Sequence, residues 1–530
     1  MTVAEYIADR LYNSGVKRVF GIPGGPSIPY MNAFREAGIE FILVSNEASA
    51  GIMADVTARL SGTPGICHAT FGPGSTNIST GVGGALLDRS PVIVFTSEMP
   101  DKWINRTTQM NINHQELFRP LTKATFRVNA SNVSEVLESA LTVCSAEYPG
   151  PVHIGLPSDI ADSEIIPGRT EVPSSVKNPP ENNIEGIIGL LENSKRPLIA
   201  AGLTAARSDA GKNLVSFLQK FRIPVVITPM AKGIIPEDHP CYAGVLFHSL
   251  SDYLEELIEN ADLIIGLGYD PVEFNYESWV TDKPIIHFDV TQSELPDNEP
   301  VFGYTGKTEE WFSLLEHLEP GSIISREGII NGIHTEMEAV FEGFKGHFGP
   351  VSAMSVLHEE LPSDSIITAD VGSHLHLLGQ FWNTNGKSKV LMTNGWSGMG
   401  FGLPAAIAAQ MHSPGSTVVC ITGDGGFLMM AGEIITARRY NLPVIVVVFS
   451  DGELNLIKVK QSWRELPPYG TMLYDGDLFG SDSFLGVRVL NAGTSEAMRV
   501  AVIEALSSSG PVIINAVIDP EDYKWLIVRR

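Results

Sequence analysis

The chain is short of both cysteine and positive charge. Its four cysteines, Cys67, Cys144, Cys241 and Cys420, stand without metal-ligand or redox spacing among 530 residues. That excludes a disulfide scaffold and reads as reduced core residues. Lysine and arginine total 36 against 61 acidic residues, for a net charge of −25. Such a surface repels nucleic acid and anionic lipid, so neither is an expected partner. No apolar run approaches the roughly 20 residues that a membrane span needs. The opening "MTVAEYIADRLYNSGVKRVFGIPGG" has no basic-then-apolar leader pattern, and the expectation is a soluble cytoplasmic protein. A GxGxxG element opening a strand-turn-helix unit is also missing, which argues against a nicotinamide dehydrogenase.

What the chain has in quantity is apolar sequence, at 44% of residues. Short β-branched runs such as "FILVS", "VIVFTS", "DLIIGLG", "VVCITG" and "VIVVVF" alternate with longer amphipathic stretches. This rhythm predicts an α/β protein of doubly wound parallel sheets covered by helices on both faces. Two breaks divide it. Residues 167–183, "PGRTEVPSSVKNPPENN", are rich in Pro, Ser and charge without apolar period and read as a linker. Around residues 321–349 the sheet rhythm gives way to a helix-like stretch. The resulting blocks are 1–165, 184–320 and 345–530, each of ordinary domain size. "GPVHIGLPSDI" and "GPVIINAVIDP" close the first and third blocks alike, which suggests two copies of one fold.

"GDGGFLMMAGEIITARRYNLPVIVVVFSDGELN" places Asp424 and Asp451 at the ends of two apolar strands. The pattern predicts one βαβ unit with a helix over residues 427–440. A right-handed crossover brings the two strands parallel, and as neighbours they lie about 5 Å apart with both carboxylates at one sheet edge. Open α/β sheets bind ligands at that edge. Two carboxylates there call for a cation, and a hard ion that grips phosphate oxygens, Mg²⁺, suits them. Gly423, Gly425 and Gly426 leave backbone amides free at a helix start, where the dipole favours a diphosphate. For either aspartate alone, helix capping or a polar turn is the simpler account.

With an acid 27 residues after the "GDG" aspartate, this stretch resembles the cofactor signature of thiamine-diphosphate-dependent enzymes. The resemblance covers the whole chain. It implies pyrimidine-binding (1–165), middle (184–320) and diphosphate-binding (345–530) domains in the order of the pyruvate oxidase and acetolactate synthase group. It implies thiamine diphosphate with Mg²⁺ held by Asp424, Asp451 and Glu453, and places Leu454 and Asn455 beside the cofactor. Glu47, in "FILVSNEASAGIMADVTARLSG", matches the family's catalytic glutamate, whose carboxylate at N1′ of the aminopyrimidine assists removal of the C2 proton. Pro23 in "FGIPGG", with Pro73 and Asn77 in "TFGPGSTN", matches the loops that wall the pyrimidine. Gly372, Ser373 and His374 in "DVGSH" match the segment closing over the diphosphate. Met399 in "GWSGMGFGLPAAIAAQ" matches the residue that bends the cofactor.

The resemblance further implies a homodimer or homotetramer with active sites at the subunit interface, because one chain's glutamate serves another chain's diphosphate site. "ADLIIGLGYDPVEFN" is similar to catabolic, flavin-independent acetolactate synthases. "RTTQMNINHQELFRPLTK" resembles that group and hydroxyacyl-CoA lyases. The leading expectation is therefore decarboxylation of pyruvate with carboligation to a second 2-oxo acid. A simple 2-oxo acid decarboxylase is the alternative, followed by a 2-hydroxyacyl-CoA lyase. The middle block is small for a flavin site, and FAD is not expected. Asp451 stands where many members have asparagine, although catabolic acetolactate synthases resemble this chain in using Asp there. Glu98 in "TSEMP" stands where many carry an amide, and the tail "DPEDYKWLIVRR" does not read as a substrate lid.

Overall fold

The computed structural model describes residues 1–166, 182–208, 210–280, 282–296 and 301–527. The segment read as a linker falls, up to residue 181, outside the described residues. Three parallel sheets of six, six and seven strands carry the fold. Their central strands are buried on both faces, so a run such as Leu263–Leu267 is apolar throughout rather than alternating, and even the Thr96, Ser97 and Glu98 that end Val92–Glu98 are buried. No helix among the described residues is long and apolar enough to cross a membrane.

The first sheet runs, in spatial order, Glu40–Leu43, Arg18–Ile22, Gly65–Ala69, Val92–Glu98, Val152–Pro157 and Ala124–Arg127. The third runs Lys389–Leu391, Ile366–Ala369, Val418–Gly423, Ile445–Ser450, Val512–Val517 and Val487–Ala492. Each begins beside its first strand and ends by interleaving its last two in the same way, so the two sheets share one strand order. Val152–Pro157 and Val512–Val517, the strands of the similar closing segments, hold equivalent places. The third sheet adds an antiparallel edge strand, Ser483–Phe484, whereas the other described strands pair parallel. The middle sheet reverses its order between Pro197–Ala201 and Leu263–Leu267, the switch point of a doubly wound sheet.

Two helices join the outer sheets. Glu47–Ser61 is buried nearly all round and crosses Pro73–Leu87 so closely that a Cβ on Gly51 would stand 2.8 Å from Gly81 Cα. Its Ile52, Met53 and Val56 share a core with Ala405, Ala406, Ala408 and Ala409 of the helix Gly402–His412 in the third unit. Full burial of such aliphatic side chains is worth about 1.5–3 kcal/mol each. The helix bearing Glu47 is thereby fixed to the third domain of its own chain.

One expected helix is two. Residues 427–440 were read as continuous, whereas helices span Asp424–Met430 and Glu433–Arg439 with a break at Ala431 and Gly432. The break admits the first domain, because Ser45 Oγ donates to the Gly432 carbonyl at 2.8 Å and a Cβ on Gly432 would lie 3.2 Å from Ser45 Cβ.

Candidate active site

Val418–Gly423 and Ile445–Ser450 are adjacent and parallel, with Gly423 paired to Phe449. Asp424 and Asp451 therefore emerge side by side at one edge, as the βαβ reading requires. Asp424 is the first residue of its helix. Its Oδ1 accepts from its neighbour Gly425 N at 2.8 Å, and its Oδ2 accepts from Gly452 N at 2.7 Å and Asp451 N at 3.1 Å. Burial, and then the Asp424 charge, pushes the Asp451 carboxyl up to about 7. That is the signature of two acids lacking a counter-charge, and a cation would relieve it. Asn455 hydrogen-bonds Asp451. Glu453 turns its carboxylate to Lys458.

A cleft opens here, lined by Gly372, Ser373, His374, Met399, Gly423, Gly425, Gly426 and Leu454 beside the two aspartates. Ser373 Oγ and His374 Nε2 are buried and find no hydrogen-bond partner among the described residues. Burial holds His374 neutral by lowering its pKa to about 4. Buried polar atoms are seldom left unpaired, and two of them beside a helix N-terminus fit a phosphate group. Packing also explains the glycines: a Cβ at Gly426 would fall 2.6 Å from Asp370 Oδ1. Asp370 in turn accepts from Gly400 N and Gly402 N, both at 2.9 Å, and so fixes the loop that carries Met399.

A second cluster forms at the carboxyl edge of the first sheet. Asn77 Nδ2 donates to Glu47 Oε2 at 3.1 Å, and Pro73 opens the helix that bears Asn77. The loop after Pro23 packs on the "TFGPG" loop, where a Cβ at Gly24 would meet Thr70 Oγ1 at 2.3 Å. Glu47, buried at 8% exposure, Pro23, Pro73 and Asn77 are thus brought together. None of them lines the Asp424 cleft of the same chain.

The sequence matches the thiamine pyrophosphate enzyme families in three consecutive parts. These are the N-terminal TPP binding domain over residues 1–117, the central domain over 184–310 and the C-terminal TPP binding domain over 370–516. It is 31% identical to a probable acetolactate synthase large subunit of Methanocaldococcus jannaschii, covering 98% of this chain and 93% of that one. The acetolactate synthase isozyme 2 large subunit of Escherichia coli is 27% identical over 100% and 97% of the two chains. The acetolactate synthase of Bacillus subtilis is 26% identical over 98% and 93%. The chain belongs to the thiamine-diphosphate-dependent enzymes. Within them it is an acetolactate synthase-like member of the decarboxylase and carboligase kind.

For a thiamine-diphosphate enzyme, several neighbours of the site carry no sequence signal. Tyr474 donates from its hydroxyl to Asp424 Oδ2 at 2.9 Å across 50 residues. Burial and the Asp424 charge raise its pKa, so the phenol stays a donor. Tyr523, from the tail that matched no lid, lines the cleft with Phe449. Glu98 strands no charge, because Arg127 Nε and Gln115 Nε2 both donate to it at 2.7 Å.

Among the described residues Glu98, His114 and His153 also bring ligand-type atoms within 4.8 Å of one another. Those atoms are already committed. His153 bonds Thr96 and Thr125 through its two nitrogens, both at 2.7 Å, and Arg127 supplies the positive charge a metal would bring. We assign no metal there.

At the switch point of the middle sheet the two flanking loops bond directly, Thr204 N to Gly268 O at 3.0 Å. The first domain fills the adjoining edge. Arg89 pairs with Asp270 at 2.7 Å, and the Tyr148 hydroxyl donates to Asp289 at 2.9 Å.

Proposed function

We propose that this chain is a Mg²⁺-dependent acetolactate synthase that decarboxylates pyruvate and joins the two-carbon product to a second 2-oxo acid. The observation that carries the cofactor assignment is the pair of acids Asp424 and Asp451, side by side at the cleft, with His374 Nε2 and Ser373 Oγ lacking a hydrogen-bond partner among the described residues. Asp424 and Asp451 would hold the metal. Glu453 would join them through its backbone carbonyl, its carboxylate being committed to Lys458. Gly372, Ser373, His374, Gly423, Gly425, Gly426, Leu454 and Asn455 would hold the diphosphate, and Met399 would support the bend of the cofactor. We assign residues 1–165, 184–320 and 345–530 as the pyrimidine-binding, middle and diphosphate-binding domains.

When bound, thiamine diphosphate supplies the carbon nucleophile and the electron sink for loss of CO₂. Glu47 would hold a proton against N1′ of the aminopyrimidine, with Asn77 keeping its carboxylate aimed. Pro23 and Pro73 would wall that ring. Because Glu47 and Asn77 stand outside their own chain's cleft, we place the complete site between two copies, in a homodimer or homotetramer. We read the protein as acting without FAD; at the switch point of the middle sheet the two flanking loops bond directly to each other, and Arg89 pairs with Asp270 beside them, which supports that reading.

His374→Ala should weaken cofactor binding about tenfold or more, the cost of a lost hydrogen bond to a charged group at about 1.5–3 kcal/mol. Calorimetric titration of the purified protein with thiamine diphosphate and Mg²⁺ reads this. Unchanged affinity would remove His374 from the diphosphate site.

The reaction is tested by following acetolactate and acetaldehyde over a pyruvate series with no added flavin. Carbon–carbon bond formation outruns protonation when the site excludes water and holds the acceptor at high effective concentration. Acetolactate is the expected main product. Acetaldehyde alone would identify a simple decarboxylase. Inertness toward pyruvate with intact cofactor binding would point to a bulkier oxo acid or an acyl-CoA.

A further inference from the structure

The corner that leads into Glu47 is bonded to the third domain of its own chain through a buried acid that the mechanism has not used. Glu433, fully buried, opens the helix Glu433–Arg439. Its Oε1 accepts from the backbone N–H groups of Ser45 at 2.9 Å and Asn46 at 3.0 Å, and Oε2 accepts the Thr436 hydroxyl at 2.7 Å. Ser45 Oγ donates to Gly432 O at 2.8 Å, and Arg439 donates to Leu43 O at 2.7 Å. Ser49 Oγ reaches Met430 Sδ at 3.3 Å.

Apart from the Thr436 hydroxyl, which steadies Glu433 within its own helix, these contacts join residues 43–49 to residues 430–439. Asn46 is the N-cap of the helix that Glu47 opens, so Glu433 places a carboxylate on the last two amides before Glu47. An anion there meets the positive end of that helix dipole. Domain contact alone does not require a charge at this point, since desolvating a carboxylate is costly and an apolar residue would pack. What the carboxylate adds is direction, because one oxygen fixes two successive N–H vectors.

We propose that Glu433 is a positioning residue that aims Glu47 at the cofactor. The inference rests on the catalytic role given to Glu47 above. Glu433 follows the helix that starts at Asp424 and is separated from it only by the short break at Gly432. The element that begins with a metal-site residue therefore ends by setting the catalytic carboxylate.

The test compares Glu433→Ala, Glu433→Asp, Glu433→Gln and Glu47→Gln in the full-length protein loaded with thiamine diphosphate and Mg²⁺. It reads kcat, KM for pyruvate, cofactor affinity and hydrogen–deuterium exchange at C2 of the bound cofactor. Misplacing a catalytic group by about 1 Å costs about 100-fold, so Glu433→Ala should lower both kcat and C2 exchange by about that factor, with KM and cofactor affinity held. Glu433→Asp, which withdraws the carboxylate by one methylene but keeps charge and burial, should lose in the same two quantities and serves if the alanine variant does not fold. Glu433→Gln keeps an acceptor oxygen for both amides and should stay within about threefold of the parent. Normal C2 exchange in the folded alanine or aspartate variant overturns the proposal, as does a glutamine variant as impaired as alanine. If Glu47→Gln itself exchanges normally, the catalytic reading of Glu47 fails first and takes this inference with it.

Discussion

Glu47→Gln should lower turnover by about 10²–10⁴-fold, the usual range for loss of a positioned proton-transfer group, while thiamine diphosphate still binds. The substitution changes little else. Glutamine has the same length, and its amide oxygen can still accept from Asn77, the partner that Glu47 meets at 3.1 Å. The side chain stays in a buried site at the start of its helix, close to Gly74, whose Cβ position lies 3.3 Å from Glu47 Oε1. The neutral amide cannot share a proton with a ring nitrogen. A loss confined to kcat and C2 exchange, with cofactor affinity intact, therefore reports proton chemistry rather than binding. The measurement is steady-state kinetics beside a cofactor titration of the same preparation. Turnover within a few-fold of the parent would take Glu47 out of the reaction.

The convergence of Asp424 and Asp451 was legible in the sequence because each stands at the end of an apolar strand and parallel pairing brings such ends to one edge, whereas Glu47 was singled out only through the family resemblance. Asp424 and Asp451 needed only the right-handed crossover and neighbouring strands to converge, and Gly423 pairs with Phe449 accordingly. Strand order within the sheets was less accessible. The shared order of the first and third sheets was hinted at only by two similar closing segments. The helix expected over residues 427–440 splits because Gly432 meets Ser45 from 387 residues away, a contact that local periodicity does not encode. The same holds for Glu433 on Ser45 and Asn46, and for Tyr474 on Asp424. Local pattern announces where the chemistry-bearing groups sit. The side chains that hold them in place come from elsewhere in the chain and have no motif of their own.

The other large effect is expected at Asp424, where alanine should abolish Mg²⁺-dependent binding of thiamine diphosphate. Three groups converge on Asp424 Oδ2, the amides of Asp451 and Gly452 and the hydroxyl of Tyr474. Alanine strands all three donors, at about 1–3 kcal/mol for each one left buried and unpaired, and it removes a metal ligand as well. Loss of more than about 100-fold in cofactor affinity follows from these terms together. Asp451→Asn makes the informative contrast. It keeps an oxygen for the metal and removes the repulsion that, after burial, raises the Asp451 carboxyl to about 7. That variant should bind cofactor within about tenfold of the parent, because a neutral carbonyl oxygen is an acceptable ligand for a hard cation. Thermal unfolding of both variants without cofactor separates a lost ligand from a lost fold, and Asp424→Ala should still unfold cooperatively. If Asp424→Ala binds cofactor as the parent does, the two aspartates are not a metal site. If Asp451→Asn loses as much as Asp424→Ala, the charge of both acids is needed, and a neutral amide is no substitute in this chain.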